Sequence, residues 1–183
     1  MRIISGEFKG TKLFIPSDKD TRPLKDLARE SIFNVLLHSK KTQFELKNAK
    51  ILDLYSGTGS FGLECLSRGA NKVVFVENNN GALKILIKNI NKLKIREKTS
   101  IVKSSVNSFL THNEFPKNKA DLIFLDPPFK EKNIFELINN IYLKNILGKN
   151  GILIIHRNKK TTEIYPKNFK ILDTKYIHKG PII

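Results

Sequence analysis

The sequence predicts an α/β fold in which a parallel sheet is covered by helices on both faces. Three observations carry this. From about residue 50, short apolar runs alternate with longer amphipathic segments: "KILDLYS", "KVVFVE", "SIVKS", "DLIFLD" and "GILIIHR" are each followed by a helical pattern or a turn. Apolar strands alternating with amphipathic helices are the pattern of a doubly covered parallel sheet. A glycine turn, Gly57-x-Gly59-x-x-Gly62, sits between the first apolar run and the next helical segment. An acidic residue, Glu77, closes the second apolar run 20 residues after Gly57, the spacing of a nucleoside-binding strand–turn–helix unit.

The elements follow in order. "RIISGEFKGTKLFIP" reads as two short strands joined by a glycine-bounded turn and stopped at Pro16. "SDKD" is a polar loop. "TRPLKDLARESIFNVLLHSK" is an amphipathic helix with Thr21 and Pro23 suited to its start. Helical spacing puts Leu24, Leu27, Ala28, Ile32, Val35 and Leu36 on one face, and Arg22, Lys25 and Arg29 together on another. The core then runs strand "KILDLYS", helix "GTGSFGLECLSRGA", strand "KVVFVE", helix "NNGALKILIKNINKL", strand "SIVKS", helix "VNSFLTH", strand "DLIFLD", helix "NIFELINNIYLKNIL" and strand "GILIIHR". A sixth strand is expected within "FKILDTKYI". This divides the chain into an N-terminal hairpin and helix, residues 1–45, and a core, residues 46–183.

Composition narrows the function classes. With 33 Lys plus Arg against 17 Asp plus Glu, the 183-residue chain carries a net charge of +16, which favours a polyanionic partner, nucleic acid before membrane. One cysteine, Cys65, excludes an internal disulfide and fits a reducing cytosol. His38, His112, His156 and His178 are scattered, with no zinc-ligand spacing, so no metal is expected. No secretory leader is read at Met1, and no apolar run has the length of a bilayer span. These features point to a soluble cytoplasmic protein.

The chemistry concentrates at strand ends. Ligands of such sheets bind at the carboxyl ends of the strands, where strand order reverses. A carboxylate at Glu77 suits the two hydroxyls of a ribose. Two nucleoside ligands compete for the glycine turn. A dinucleotide would set its pyrophosphate on the helix N-terminus, whereas Asp53, four residues before Gly57, would repel that group and suits an ammonium or sulfonium. The fourth apolar run ends in Asp126-Pro127-Pro128-Phe129. As a bland alternative, Pro merely stops the strand. As a site, this stretch suits methyl transfer to an exocyclic base nitrogen. That lone pair is delocalised into the ring, so a carboxylate (Asp126) and a freed carbonyl (Pro127) can hydrogen-bond the NH2 and hold it for attack. Proline fixes the turn, and Phe129 stacks on the base.

Taken together, "MRIISGEFKGTKL", "TRPLKDLARESIFNVL", "ILDLYSGTGSFGLECLSRGA", "VVFVENN" and "FLDPPF" resemble the RsmD family of bacterial 16S ribosomal RNA (guanine-N2) methyltransferases over nearly the whole chain and in the family's order. The resemblance implies a Rossmann-like class I methyltransferase core of seven strands with a small N-terminal hairpin and helix. It implies S-adenosylmethionine as methyl donor and a guanine of 16S RNA, within an assembled or partly assembled small subunit, as acceptor, with the protein acting as a monomer. Catalytic roles then fall on Asp126, Pro127, Pro128 and Phe129. Cofactor contacts fall on Asp53, Tyr55, Gly57, Gly59, Glu77, Asn78, Ser104 and Ser105. RNA contacts are expected on the hairpin and helix, at Arg2, Lys9, Lys12, Arg22, Lys25 and Arg29, with the basic C-terminal stretch from Lys144 on as the alternative phosphate-binding surface. The chain departs from the family pattern at Leu24, where a Thr is usual, and at Ser104-Ser105, where the third strand usually ends in Asp. It also lacks the usual C-terminal Tyr-Gly. Asp-Pro-Pro-Phe alone is shared with adenine-N6 enzymes, which leaves such an enzyme, or a non-catalytic RNA-binding assembly factor, as the alternatives.

Overall fold

Five apolar runs become the parallel strands of one sheet: β1 (Lys50–Leu54), β2 (Lys72–Glu77), β3 (Thr99–Lys103), β4 (Ala120–Leu125) and β5 (Leu147–Ile155). The computed structural model describes residues 1–16, 24, 26–38, 41, 44–112, 119–128, 130–157, 164–177 and 180–182. Strand order is β3-β2-β1-β4-β5, and every neighbouring pair is parallel. The order reverses between β1 and β4, so the crevice at their carboxyl ends is where a ligand belongs. The helices connecting the strands are α2 (Ser60–Ser67), α3 (Asn80–Leu93), α4 (Val106–His112) and α5 (Ile134–Leu143), preceded by α1 (Asp26–His38). A single 3-10 turn, Arg96–Lys98, leads into β3 and was not expected from the sequence.

Side-chain alternation along each strand builds two apolar layers. Ile51, Val73, Phe75, Leu122 and Phe124 face α1, α2 and α3, in one cluster with Ile32, Phe33, Phe61 and Leu86. Phe61 stacks between Phe33 at 5.3 Å and Phe124 at 4.0 Å, measured between ring centroids. Leu52, Leu54, Val76, Ile123 and Leu125 face α4 and α5, packing on Phe109, Leu110, Leu137 and Ile138.

The N-terminal residues join the first layer. Ile3 and Leu13 belong to the same cluster as Phe61 and Phe75. The expected pair of strands reduces to one antiparallel bridge, Arg2 with Lys12, supported by Ile3 N–H to the Thr11 carbonyl and Gly10 N–H to the Ile3 carbonyl. The hairpin is fastened to α2 instead of extending a sheet. Glu64 accepts the N–H groups of Ile4 (2.7 Å) and Ser5 (2.9 Å), and Glu7 N–H donates to the Ser67 carbonyl at 2.7 Å. Gly6 makes this approach possible: its φ is +82°, and a Cβ there would stand 1.8 Å from the Ser67 carbonyl oxygen.

Three expectations are corrected. Leu27 is 61% exposed, and Phe33 takes its place on the buried face of α1 beside Ala28, Ile32 and Leu36. Arg29 is fully buried there rather than lying on an open basic face. The sixth strand does not join the described sheet: β6 (Lys175–Ile177) pairs antiparallel with β7 (Gly180–Ile182) in a separate two-stranded ribbon. No strand forms over residues 169–174, where the Asp173 carboxylate takes the Thr174 N–H at 2.9 Å.

Candidate active site

The site is built where β1, β2 and β4 end side by side. After β1 the chain turns sharply: Tyr55 is in the left-handed region at φ 56°, and Ser56 N–H donates to the Val76 carbonyl. The glycine turn follows. Gly59 has φ +81°, a left-handed conformation that favours glycine, and a Cβ on it would lie 2.3 Å from Leu86 Cδ1, so a larger residue there would also have to shift the Leu86 side chain. Buried Asn89 of α3 braces the turn from below, donating to the Thr58 carbonyl at 3.3 Å while its amide pairs with both the N–H and the carbonyl of Phe14.

The 20-residue spacing has a direct geometric meaning. Glu77 Oε2 accepts the Gly57 N–H at 2.7 Å, and Oε1 accepts from Asn78 and Asn79 at 2.9 and 2.8 Å. The carboxylate therefore ties the end of β2 to the glycine turn; Oε1 is filled by its two donors, and Oε2 keeps one acceptor position for a further donor. Asp53 is buried on the α2 side of β1 and accepts the Gly62 N–H at 3.0 Å. Burial holds its carboxyl well above the usual range, with the charges of Asp126 and Glu77 acting in the same direction and the Gly62 bond against it. The hydroxyl of Ser56 is buried with no hydrogen-bond partner among the described residues.

Ser104 and Ser105 stand beside this cluster at the end of β3. Ser104 N–H donates to the Glu77 carbonyl, whereas the Ser105 hydroxyl is occupied in capping α4 through the Ser108 N–H at 3.1 Å.

Asp126 arrives from β4. Its N–H reaches the Leu54 carbonyl at 3.4 Å, which hangs the residue beside the end of β1, and its side chain is 24% exposed. Pro127 is buried and Pro128 exposed. The Pro128 carbonyl accepts from Glu131 N–H (2.9 Å) and from Arg157 (3.2 Å). Tyr55 donates its hydroxyl to Glu131 at 3.3 Å. Burial and then the Glu131 charge push the Tyr55 phenol up, so it stays protonated as a donor.

Of the sequence-derived candidates, the fold brings together Asp53, Tyr55, Gly57, Gly59, Glu77, Asn78, Ser104, Ser105, Asp126, Pro127 and Pro128 around the ends of β1 to β4. Phe129, Arg22 and Lys25 lie outside the described residues. Arg2, Lys9 and Lys12 are exposed on the hairpin. Arg29 is not available to a ligand: its guanidinium meets Asp26 at 3.0 Å, Glu64 at 3.6 Å and the Arg2 carbonyl. Desolvation lowers its pKa against the pull of Glu64 and Asp26.

Sequence reasoning missed His156, whose Nδ1 lies 2.8 Å from Asp126 Oδ1, and Arg157. Both stand at the carboxyl end of a parallel strand, the position rule that had singled out Asp126 itself. No group of three His, Cys, Asp or Glu poised to hold a metal occurs among the described residues. A separate concavity of about 640 Å3 lies between α1, α5 and β5, lined by Leu36, Tyr142, Leu147 and Phe169, and it includes none of Asp53, Glu77 or Asp126.

The family model described as "Conserved hypothetical protein 95" matches residues 1–180. The chain is 32% identical to Ribosomal RNA small subunit methyltransferase D of Haemophilus influenzae over 178 residues, 96% of this chain and 88% of that relative. It is 36% identical to the protein of the same name in Escherichia coli K12 over 139 residues, 76% of this chain and 65% of that relative. Among solved structures, a methyltransferase candidate of Escherichia coli superposes with a TM-score of 0.84 at 27% identity, covering 100% of this chain and 94% of that one.

Proposed function

The chain belongs to the family described as conserved hypothetical protein 95, and from that premise we propose that it methylates the exocyclic N2 of a guanine in 16S ribosomal RNA, with S-adenosylmethionine as donor. The observation that carries the reading is the placement of Asp126 beside the glycine turn, across the β1–β4 junction where strand order reverses. The residues present fit the donor. Glu77 offers a carboxylate bonded to the turn with an acceptor position left on Oε2 for a ribose hydroxyl, Ser56 offers a buried unpaired hydroxyl, and Asp53 adds acidity that a cationic group would offset. When bound, S-adenosylmethionine supplies an electrophilic methyl on a sulfonium.

The residues of the chain do the rest by position. Asp126 accepts a hydrogen bond from the guanine amine, which localises the nitrogen lone pair toward the methyl, and it takes up the proton that the methylated nitrogen releases. The Pro127 carbonyl is the second acceptor, and Phe129 the stacking surface. Holding acceptor and donor in line provides much of the rate. Ser104 replaces the usual third-strand acid near the adenine. The hairpin and helix of residues 1–45 form the RNA-facing appendage, with Arg2, Lys9 and Lys12 on phosphate, and residues 46–183 form the transferase. The protein acts as a cytoplasmic monomer on a partly or fully assembled small subunit.

The test is transfer of labelled methyl to 16S RNA, free and in small subunits lacking the modification, followed by digestion to nucleosides. N2-methylguanosine at one site is the expected product. N6-methyladenosine would assign the Asp-Pro-Pro-Phe turn to adenine chemistry instead. No label on either substrate, with donor binding intact, would overturn the reading in favour of a binding factor.

A further inference from the structure

The catalytic turn is pinned from one side by two consecutive residues that close β5. Arg157 is 2% exposed and donates to two backbone carbonyls that bracket the turn, Pro128 at 3.2 Å and Glu131 at 2.8 Å. Asp126 N–H is hung on Leu54, and His156 N–H on Leu125 at 3.0 Å. With both backbones held this way, the main freedom left to Asp126 is rotation of its side chain. His156 removes it: Nδ1 lies 2.8 Å from Oδ1, a contact between residues 30 positions apart. A carboxylate oxygen only accepts, so the ring donates from Nδ1. One oxygen of Asp126 is thereby engaged and the other is left to face an amine.

We infer that His156 is the positioning residue of Asp126: its Nδ1–H holds the carboxylate in the single rotamer that can receive a base amine. The inference rests on the transferase reading above. His156 touches neither base nor donor in this assignment and acts only through Asp126. A one-ångström misplacement of such a group is enough to cost about 100-fold in rate.

The experiment compares His156→Ala with His156→Asn, whose side-chain NH2 stands near the Nδ1 position. In steady-state methyl transfer, His156→Ala is expected to lower kcat about 10- to 100-fold, with KM for RNA, donor affinity by calorimetry and thermal midpoint near wild type. His156→Asn is expected to restore kcat to within about threefold by keeping the donor in place. Wild-type kcat in His156→Ala, or equal losses in both variants, would overturn the assignment. A second readout is independent of activity. In the 15N spectrum of the imidazole rings, His156 is expected as the Nδ1–H tautomer, and Asp126→Ala is expected to shift it toward Nε2–H. A ring spectrum indifferent to Asp126→Ala would overturn the pairing itself. If that spectrum responds while wild type transfers methyl to no RNA, the pairing stands and the transferase reading falls.

Discussion

Each carboxylate of the site has a different task set by its surroundings. Asp126 is about one-quarter exposed at the ends of the strands, and Asp53 is buried. Asp126→Ala should reduce methyl transfer by at least about 100-fold, the scale of a positioned proton acceptor, while donor binding by calorimetry persists. Retained turnover would remove Asp126 from catalysis. Asp53 makes a pH prediction. Its folded pKa is raised from 3.8 by burial, so its contribution to stability is fully present below about pH 4 and is lost as pH rises through the raised value. Asp53→Asn, which keeps an oxygen for the Gly62 N–H, should therefore raise the thermal midpoint at pH 7 and change it little at pH 4. At this chain length each kcal/mol regained corresponds to about 2–4 °C. The same variant should bind S-adenosylmethionine more weakly, because the cation loses its nearby acid. An equal shift in midpoint at both pH values would contradict the burial account.

Helices and turns explain why the hairpin belongs to the catalytic body. Glu64 sits at the centre of a buried cluster on α2, taking Arg68 at 2.7 Å, the Arg29 guanidinium and two N–H groups of the hairpin. Removing Arg29 leaves that carboxylate short of a partner in a dry site. Arg29→Ala should cost about 3–5 kcal/mol, read as a fall of about 10 °C in thermal midpoint. A fully stable Arg29→Ala with impaired RNA affinity would instead return Arg29 to the RNA-contact set. Gly6→Ala attacks the same junction from the other side. A methyl 1.8 Å from the Ser67 carbonyl cannot be accommodated without moving the hairpin off α2, and a loss of about 1–3 kcal/mol is expected, measured by denaturant titration. Helical spacing grouped Arg29 with Arg22 and Lys25, yet it equally set Arg29 one turn from Ile32 and Phe33. The wheel alone does not say which neighbour wins; Glu64, 35 positions away, decides it.

At the scale of the molecule, a net charge of +16 makes any RNA affinity salt-dependent. If Arg2, Lys9 and Lys12 each neutralise a phosphate, the triple Ala variant should lower the slope of log affinity against log salt by about 2 to 3 and leave the thermal midpoint unchanged, because all three are exposed. An unaltered slope would move the RNA face elsewhere, with the lysines of α3 and the C-terminal residues as the next surfaces to test. The five core strands, their parallel pairing and the glycine turn were legible in the sequence, and the spacing marked Glu77 though not its bond to the Gly57 N–H. Each rests on short-range information: apolar runs of strand length, a glycine where φ is positive, and a fixed spacing along one strand–turn–helix unit. The rule for ligands at strand ends singled out Asp126, which follows β4 beside the end of β1. The tertiary structure alone decided that Arg29 is core, that the last strands form a separate ribbon, and that His156 meets Asp126 and Arg157 the carbonyls of Pro128 and Glu131. Those outcomes depend on contacts between residues 26 to 35 positions apart or, for the ribbon, on the pairing of two neighbouring strands, and no periodicity along the chain encodes which distant partner a buried charge or an imidazole will meet.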